Sequence, residues 1–530
     1  MALPRLATSP GYYSLVGAHS FRLGQTAWHC RPSTLRSPPQ QKRSLTTTPS
    51  HHEEHQNSAS PRSEITDSPS PPPEHSATTS TPDTALPPGW EDNPAYHNIK
   101  TFSQLPHRHF GHNQHMRIND DFKEALRQIL WQFKAPIRYA FAYGSGVFSQ
   151  GKASADALSP HPNPGKAVQD WQNGGAKIID FIFGVSHTQH WHSLNLTQHP
   201  EHYSALKHLP YSSAAISRVQ DSFGAGVYFN PYITVNGTMI KYGVVNLATL
   251  SHDLSNWSTL YLAGRLHKPV KILRDDPRIR LANQVNLISA LRTALLMLPE
   301  HFTERQLYER IASLSYLGDP RMNTLITSEN PRKVSNIVGS QLPGFRQLYV
   351  PLINNLPNVS FTDPRTPSSA GWETADAIRQ TGTALPETDI LGGATGLELS
   401  QDLDPRKRGN MVRRLPAAFR RKLYYQYKSK FGLPGSAFDE VLEASEDEDP
   451  SGGLGFRKRE GGEFERRIAG EADLAEVVGK CVRSTVQWPA TVQSAKGVVT
   501  AGVGRSWRYW AEKRAKGGGK AAGAEEGKEK

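Results

Sequence analysis

Cysteine is almost absent from this sequence, with only Cys30 and Cys481 among 530 residues. Two cysteines argue against a disulfide framework and against a cysteine-rich zinc site. The chain also lacks an uninterrupted apolar run of about 18 residues, the length that a membrane-spanning helix requires. Its best apolar stretch, residues 286–298, is interrupted by Arg292 and predicts a helix of a soluble domain.

Acidic residues are missing from the first 50 positions, which carry six basic residues among many serines and threonines. The basic residues are Arg5, Arg22, Arg31, Arg36, Lys42 and Arg43. This arginine-rich, acid-poor composition is typical of a transit peptide, and it predicts that residues 1–45 direct import into mitochondria. A basic disordered tail is the alternative interpretation.

Large apolar side chains are scarce in the next segment, where serine, proline and threonine dominate residues 46–88. Such a segment cannot bury enough apolar surface to offset the entropy lost on ordering, so we predict a disordered linker. The folded part should therefore begin near residue 89.

The net charge of +12 and the isoelectric point near 9.5 favour anionic partners. Nucleotides, nucleic acid and acidic lipid headgroups all qualify, and charge alone does not distinguish among them. The sequence shows no module of interleaved aromatic and basic residues typical of RNA-binding domains, so no nucleic-acid partner is expected.

An α/β pattern characterises residues 89–280. Apolar residues from Phe122 to Phe133 recur with helical spacing after Asn119 or Asp120, either of which can cap the helix. Other stretches alternate between strand-like and helix-like composition. Strands are predicted at 137–143, 177–185, 224–235, 239–247 and 268–273, and helices at about 199–220 and 246–264. The pattern predicts a compact mixed sheet with helices.

Two of the predicted strands carry the candidate chemistry. One opens into the turn Gly144-Ser145-Gly146, whose backbone N–H groups and hydroxyl can bind a triphosphate. The other contains a single carboxylate, Asp180, which is costly to bury without a partner. Mg²⁺ is the expected partner, because it takes one or two carboxylates together with phosphate oxygens. Together these segments indicate a metal-dependent nucleotidyltransferase.

Helical periodicity dominates residues 281–356, which predict a small helical second domain. Within it, Thr303 and Gln306 have the spacing of a capping box. Residues 357–489 have few long apolar runs, so we expect them to be partly disordered, apart from a helix near 415–430.

The last part of the chain has an amphipathic pattern over residues 490–514. Valines, alanines and tryptophans share one helical face, and the basic residues lie largely elsewhere. These basic residues are Lys496, Arg505, Arg508, Lys513 and Arg514. The pattern predicts a helix that binds the interface of an acidic bilayer, with packing on the chain's own fold as the alternative. Residues 515–530 are expected to form a disordered basic tail.

Nine segments resemble, in this order, the mitochondrial phosphatidate cytidylyltransferase family, also called the mitochondrial translocator assembly and maintenance protein family. They are YGSGVFSQ, IDFIFGV, WHSLNL, HYSAL, GAGVYFNP, IKYGVV, YLAGRLHKPVKIL, SLSYLGDPR and NPRKVSNIV. The resemblance covers about residues 100–355, and SAKGVVTAG at 494–502 is similar to the family's C-terminal segment. It implies a nucleotidyltransferase domain followed by a winged-helix-like domain.

The resemblance also implies the reaction and its location. The chain would be a peripheral enzyme on the matrix side of the mitochondrial inner membrane. It would form CDP-diacylglycerol from CTP and phosphatidate, with Mg²⁺ as cofactor, and so supply cardiolipin synthesis. Catalysis of this kind rests mostly on positioning and charge neutralisation.

The predicted catalytic residues are Asp180, as the metal ligand, and Lys241, which also binds the nucleotide because it is a charge within an apolar strand. Further candidates for binding the nucleotide or lipid phosphate are Arg265, Lys268, Lys271, Arg321 and Lys333.

Further metal ligands are less evident in the sequence. Ile182 occupies the position where the broader nucleotidyltransferase pattern has a second carboxylate. Asp319 and Asp253 are therefore weaker candidates as metal ligands. A histidine cluster formed by His187, His190 and His192 resembles a zinc site, but no cysteine or acidic residue accompanies it, so zinc is not predicted there.

Two alternatives stay open at this stage. The chain could be a nucleotidyltransferase with another acceptor, such as RNA or a protein hydroxyl. It could also be a non-catalytic assembly factor for an inner-membrane protein translocase, as the second family name suggests. A scaffold would tolerate loss of Asp180, whereas an enzyme would not.

Overall fold

The computed structural model describes eight stretches of the chain, all within one unit that spans residues 78–530. They are residues 86–87, 89–93, 99–150, 159–173, 177–322, 332–362, 397–447 and 459–501. The predicted transit peptide, nearly all of the linker, and the basic tail lie outside the described residues, so these expectations stay predictions.

Helices form the larger part of the described fold. They are α1 (Asp120–Trp131), α2 (Lys166–Trp171), α3 (Thr188–Gln198), α4 (Ser212–Ser222), α5 (Leu247–Asn256), α6 (Ala263–Leu266), α7 (Pro277–Leu296), α8 (Glu304–Ser313), α9 (Lys333–Ser340), α10 (Leu342–Ile353), α11 (Pro405–Arg413), α12 (Ala417–Phe431), α13 (Gly435–Ala444), α14 (Glu463–Ala469) and α15 (Leu474–Ala501). Short 3₁₀ turns occur between several of them.

A five-stranded mixed sheet organises the first region, as the sequence predicts. Its strands are β1 (Tyr139–Tyr143), β2 (Ile179–Val185), β3 (Val227–Val235), β4 (Thr238–Asn246) and β5 (Lys271–Arg274). Their order is β3-β4-β2-β1-β5, in which β2 and β4 are parallel and the other neighbours antiparallel. Because β2 lies at the centre of the sheet, its side chains are buried apart from Asp180.

Helix caps account for several boundaries. The Asn119 side chain accepts a hydrogen bond from the Phe122 backbone N–H and caps α1, so the first of the two predicted caps is confirmed. The predicted capping box is also confirmed at α8, where Thr303 and Gln306 satisfy each other's backbone N–H groups.

The helix prediction near residues 199–220 was wrong in its first half. That half contains 3₁₀ turns, and the regular helix α3 lies earlier, before α4 begins at Ser212. The buried face of α3 is largely polar, since it includes Thr188, His192 and Asn195 beside Trp191. An apolar-periodicity criterion does not detect such a helix.

The second region combines the predicted helices with a small sheet. Strands β6 (His301–Thr303), β7 (Val359–Phe361) and β8 (Glu398–Gln401) form an antiparallel sheet in the order β6-β8-β7. Strands of three or four residues leave little alternation for a sequence pattern to reveal. The winged-helix-like character of this region stays a prediction.

Residues 397–447 and 459–489 contain more regular structure than expected. The predicted helix near 415–430 is confirmed as α12. However, α11, α13, α14 and the first half of α15 are also helical, so the described residues of this part contain more helices than the one predicted.

The beginning of the predicted membrane-binding helix packs on the fold itself. Helix α15 continues through Pro489 as far as Ala501. The buried Lys496 donates hydrogen bonds to the backbone carbonyls of Gln220 and Phe223, and the Gln493 amide donates to the Val227 carbonyl. Lys496 is therefore a structural residue, which corrects its assignment to lipid contact. Residues 502–514 lie outside the described residues.

No helix in the described stretches is both long and apolar enough to cross a membrane.

Candidate active site

Strand register places three polar side chains next to one another on one face of the large sheet. Asp180 on β2 lies opposite Tyr143 on β1 and opposite Lys241 on β4. Paired residues on neighbouring strands point to the same face, so the three side chains are neighbours. Asp180 Oδ1 lies 3.4 Å from Lys241 Nζ, and the two side chains are 28% and 27% exposed. Both predicted catalytic residues therefore meet at the edge of the core, within reach of solvent.

The Gly144-Ser145-Gly146 turn follows β1 and lies beside Asp180. Gly144 has a φ of +78°, and a Cβ there would lie 3.4 Å from Asp180 Oδ2. A Cβ on Gly146 would lie 2.4 Å from the Ile178 carbonyl oxygen, closer than any side chain allows. Glycine is thus required at position 144 by the left-handed backbone conformation, and at position 146 by the close approach of the Ile178 carbonyl.

The backbone of this turn keeps donors available for an anion. The Gly144 carbonyl accepts the N–H groups of Val147 and Phe148 at 3.0 and 2.9 Å. Within the described chain, the N–H groups of Ser145 and Gly146 have no protein acceptor. Successive unpaired N–H groups in such a turn form an anion-binding concavity. The predicted phosphate-binding role fits this geometry.

The polar stretch before β2 braces the turn. The Trp171 indole N–H donates to the Val147 carbonyl at 2.9 Å, and the Gln172 amide donates to the Gly146 carbonyl at 2.8 Å. Trp171 also stacks on Phe122 of α1, with ring centroids 5.0 Å apart. Residues 166–172 therefore fix the turn relative to the core, a function that the polar composition of the stretch did not reveal.

The Lys241 side chain is positioned by an aromatic ring on the neighbouring strand, and a glycine leaves room for that ring. Its Nζ lies 4.8 Å from the centroid of the Phe229 ring on β3. Gly243 makes room for this ring, because a Cβ at position 243 would lie 2.6 Å from a Phe229 ring carbon. A cation over an aromatic face gains electrostatic stabilisation, so the ammonium group is oriented without full burial.

The loop between α5 and α6 is shaped by Asp253. Its carboxylate accepts hydrogen bonds from the backbone N–H groups of four loop residues and from the Thr259 hydroxyl, at 2.8 to 3.1 Å. The four residues are Thr259, Leu260, Leu262 and Ala263. These donors account for both carboxylate oxygens, so the weak metal candidate Asp253 has a structural role instead.

Arg265 lies in α6, which follows this loop, and contacts Tyr143, the neighbour of Asp180 in the sheet. Its Nε donates to the Tyr143 hydroxyl at 3.4 Å, and its guanidinium carbon lies 4.0 Å from the centroid of the Tyr261 ring. Burial, and then the nearby Asp180 carboxylate, raise the pKa of Tyr143. Tyr143 is therefore a neutral hydroxyl that lies beside Asp180 in the sheet and contacts Arg265.

Lys268 and Lys333 form a second cationic group with Arg265. The ammonium groups of Lys268 and Lys333 lie 5.0 and 5.3 Å from the centroid of the same Tyr316 ring. Lys268 also donates to the Ser315 hydroxyl at 2.8 Å. Burial, and then the charges of Arg265 and Lys333, lower the pKa of Lys268 to about 7. A phosphate group would stabilise the charged form of a lysine whose protonation is disfavoured by burial and by neighbouring cations.

The remaining predicted residues lie elsewhere or lack a described side chain. Lys271 is in register with Ala142 rather than Tyr143, so it points to the opposite face, and its ammonium donates to the Met116 carbonyl at 2.6 Å. Asp319 is buried in the turn after α8. Arg321 belongs to a 3₁₀ turn, and its side-chain surroundings fall outside the described features.

The histidine cluster on α3 does not form a shared site. His187 and His190 are exposed, whereas His192 is fully buried and bonded to Tyr203 and Gln220. Burial lowers the pKa of His192 to about 4, so this ring is a neutral core residue.

Sequence reasoning missed the aromatic and amide residues that organise the site. Tyr143, Tyr316 and Gln172 are ordinary residues in sequence, and their roles depend on strand register and loop packing. A signal was available only for Tyr143, which directly precedes the Gly144 turn at the end of an apolar strand.

Comparison with known proteins identifies the family of this chain. The family model described as mitochondrial phosphatidate cytidylyltransferase matches residues 126–516. Proteins of that name from Xenopus laevis and Danio rerio are 36% and 33% identical to this chain; each match covers 73% of this chain, and 93% and 96% of the relative. The Schizosaccharomyces pombe protein is 44% identical over 251 residues, 47% of this chain and 58% of the relative. The chain belongs to the mitochondrial phosphatidate cytidylyltransferase family.

Proposed function

We propose that this chain transfers the cytidylyl group of CTP to phosphatidate, forming CDP-diacylglycerol and releasing pyrophosphate. The observation that carries the proposal is the Asp180–Lys241 pair beside the Gly144-Ser145-Gly146 turn, in a chain of this family. The reaction needs a site that binds a triphosphate next to a second phosphate. Lys241 beside the glycine turn, together with the cationic group of Arg265, Lys268 and Lys333, supports this proposal.

The bond changes are those of nucleotidyl transfer. A phosphate oxygen of phosphatidate attacks the α-phosphorus of CTP, and the bond from that phosphorus to the bridging oxygen of the β-phosphate breaks. Pyrophosphate leaves with the electron pair of that bond. Catalysis depends on alignment of the two phosphates and on stabilisation of their charge.

The residues assigned to the triphosphate are Lys241 and the glycine turn. The N–H groups of Ser145 and Gly146 would donate to phosphate oxygens, and Lys241 would add a charge-assisted hydrogen bond. Arg265, Lys268 and Lys333 would bind the phosphate of the second substrate. In this assignment Tyr143 keeps Arg265 next to the reacting centre.

Mg²⁺ is the proposed cofactor, and the donor set fits it. Asp180 supplies one carboxylate at a partly exposed position, and Mg²⁺ is commonly held by one or two carboxylates plus substrate phosphates. The bound ion would neutralise charge on the phosphate oxygens. Asp180 would hold it, and Lys241 would turn from Asp180 toward a phosphate.

The proposed location is the matrix face of the mitochondrial inner membrane, with peripheral contact to acidic phospholipids. The acyl chains of phosphatidate stay in the bilayer, so the enzyme must meet its substrate at the surface. Because the described end of α15 faces the sheet, the contact is assigned to residues 502–514, which contain Trp507, Trp510 and several basic residues.

The test is an assay of the purified full chain with labelled CTP, phosphatidate-containing vesicles and Mg²⁺. Formation of lipid-soluble CDP-diacylglycerol, dependent on phosphatidate, is the expected result. Absence of product would favour the assembly-factor alternative, and transfer of label only to RNA or protein would favour the other acceptor classes.

A further inference from the structure

A compact group of metal-ligating side chains lies on the side of the sheet opposite Asp180. Among the described residues, His199, Glu201 and His202 are the group of three whose potential ligand atoms all lie within 4.8 Å of one another. His199 ends α3, and Glu201 and His202 belong to the 3₁₀ turn that follows. We propose that these three side chains bind a zinc ion, with a water molecule as the fourth ligand.

The distances fit a tetrahedral ion. Glu201 Oε1 lies 3.1 Å from His199 Nδ1 and 3.4 Å from His202 Nε2. Zinc bonds of about 2.0–2.1 Å to nitrogen and oxygen place neighbouring ligands of a tetrahedron about 3.3 Å apart. The carboxylate oxygen is therefore at ligand spacing from both rings. Rotation of the His199 ring, the more exposed of the two, would let both ring nitrogens reach the same ion.

The ligand atoms are also oriented by a second set of partners. His202 Nδ1 lies 2.8 Å from the Tyr242 hydroxyl, which also accepts a hydrogen bond from Asn195 at 3.1 Å. His199 Nε2 faces the Gln132 carbonyl at 3.5 Å. Metal-bound histidines usually donate their other ring N–H to an oxygen of this kind, which fixes the tautomer that exposes the ligating nitrogen.

The ligand types select among metals. Two imidazoles and one carboxylate suit zinc better than Mg²⁺ or Ca²⁺, which prefer sites built from oxygen ligands. The two rings stack in parallel, with centroids 4.4 Å apart, and both nitrogens face one carboxylate. Because an imidazole lone pair lies in the plane of its ring, the His199 ring must turn out of this stack for both lone pairs to reach one cation.

The position of the site suggests its role. The Gln198 side chain already joins the ends of α1 and α3, because it accepts from the Lys134 N–H and donates to the Gln132 carbonyl. A zinc ion would fasten the following turn to the same corner. Tyr242, the partner of His202, directly follows Lys241 on β4. The ion would thus stabilise the corner that supports one of the strands of the active site, and it would be separate from the Mg²⁺ at Asp180.

The test compares zinc binding in full-length variants, with the metal-free proteins titrated by calorimetry and by competition with a chromogenic chelator. Glu201→Gln and His199→Gln remove ligands, and His190→Gln removes an exposed histidine of α3 that lies outside the group. Other histidines, such as His51 and His52, can also bind zinc, so the readout is the difference between variants.

We expect the parent and His190→Gln each to bind one zinc ion with high affinity. The two variants that lack a ligand should bind this ion more weakly. Zinc should also raise the melting temperature of the parent by about 5 °C at a hundredfold excess over its dissociation constant. Co²⁺ in its place should give tetrahedral visible bands that are lost in Glu201→Gln.

Because the Glu201 side chain is 64% exposed, its replacement should leave the metal-free fold unchanged. Equal zinc stoichiometry, equal melting shifts and equal cobalt spectra in all four proteins would overturn the proposal. It would then follow that the three residues form only a local hydrogen-bonded group.

Discussion

Two ion pairs of this fold join similar groups in opposite surroundings. Glu304 and Arg346 connect α8 with α10 and are 0% and 1% exposed. The Arg346 Nε donates to one Glu304 oxygen at 2.9 Å, and the Leu397 N–H donates to the other at 3.2 Å. The Asp180–Lys241 pair meets at 3.4 Å in a partly exposed position on the large sheet.

The difference separates a structural pair from a reactive one. A buried pair persists only when additional hydrogen bonds satisfy its charges, and Glu304 has one from the Leu397 N–H besides those from Arg346. A partly exposed pair at a longer distance can exchange partners at low cost, because water compensates each charge. Asp180 and Lys241 can therefore separate to bind a metal ion and a phosphate, whereas Glu304 and Arg346 cannot.

The largest expected effect follows from replacing Asp180 by Asn. Turnover should fall by about 10⁴-fold, roughly 5.5 kcal/mol in barrier, because the amide lacks the charge that holds a divalent cation. The melting temperature should change little, since the residue is partly exposed. Initial rates of CDP-diacylglycerol formation across a Mg²⁺ series measure the effect.

Asp170→Asn is the matched control, because Asp170 is an exposed carboxylate on α2, in the segment that braces the glycine turn. It should retain the parent's rate. An Asp180→Asn enzyme that works within about tenfold of the parent, roughly 1.4 kcal/mol, would show that Asp180 is not the metal ligand.

Disruption of the buried Glu304–Arg346 pair should lower the stability of the fold. Arg346→Met should lower the free energy of unfolding by about 3–5 kcal/mol, because it leaves a buried carboxylate without its cation. Chemical denaturation followed by circular dichroism measures this change. Arg305→Met, at an exposed pair with Glu309 on α8, should cost less than about 1 kcal/mol. Equal losses in the two variants would mean that burial does not distinguish the pairs.

Lys241→Ala should produce a smaller effect, confined to kinetics. The value of kcat/KM for CTP should fall by about 10–100-fold, or 1.4–2.7 kcal/mol, through loss of a phosphate contact. Lys407→Ala removes an exposed cation on α11 and should leave the kinetics unchanged. A steep loss of melting temperature with normal kinetics per folded molecule would instead assign Lys241 to packing against Phe229.

The parts of the site that sequence predicted share one property. Asp180 and Lys241 are single charges in apolar strands, and the two glycines interrupt an apolar run, so each is costly or unusual unless it serves a function. The strands of the large sheet were predicted because most of them are predominantly apolar, as buried strands are.

The parts that sequence did not predict depend on contacts between distant residues. Asp253 looked like a possible metal ligand, yet its oxygens are used by the loop that follows it. Lys496 looked like a lipid-binding cation, yet it donates to carbonyls at the end of α4 and beyond. A charge has the same appearance in sequence whether its partner is backbone, substrate or solvent, and only the fold distinguishes these cases.

The same limit applies to Lys268, whose proximity to Arg265 and Lys333 emerges from the structure and leads to a prediction about pH. Because burial and these two cations lower its pKa to about 7, Lys268 is protonated below pH 7 and progressively neutral above it. Anion affinity at this site should therefore weaken as pH rises, and KM for phosphatidate should increase between pH 6 and pH 8.

Replacement of Lys268 by Arg isolates this smallest effect, because a guanidinium stays charged over the whole range. The ratio of KM values, parent over Lys268→Arg, should be near one at pH 6 and rise to about threefold at pH 8. Taking the ratio removes the ionisation of phosphatidate itself, which is common to both enzymes. Parallel pH profiles would mean that Lys268 keeps its proton or does not contact the lipid phosphate. A rising ratio would extend the contrast between the two ion pairs to a third arrangement, in which burial and neighbouring cations lower the pKa of one lysine and an anionic substrate would restore its charge.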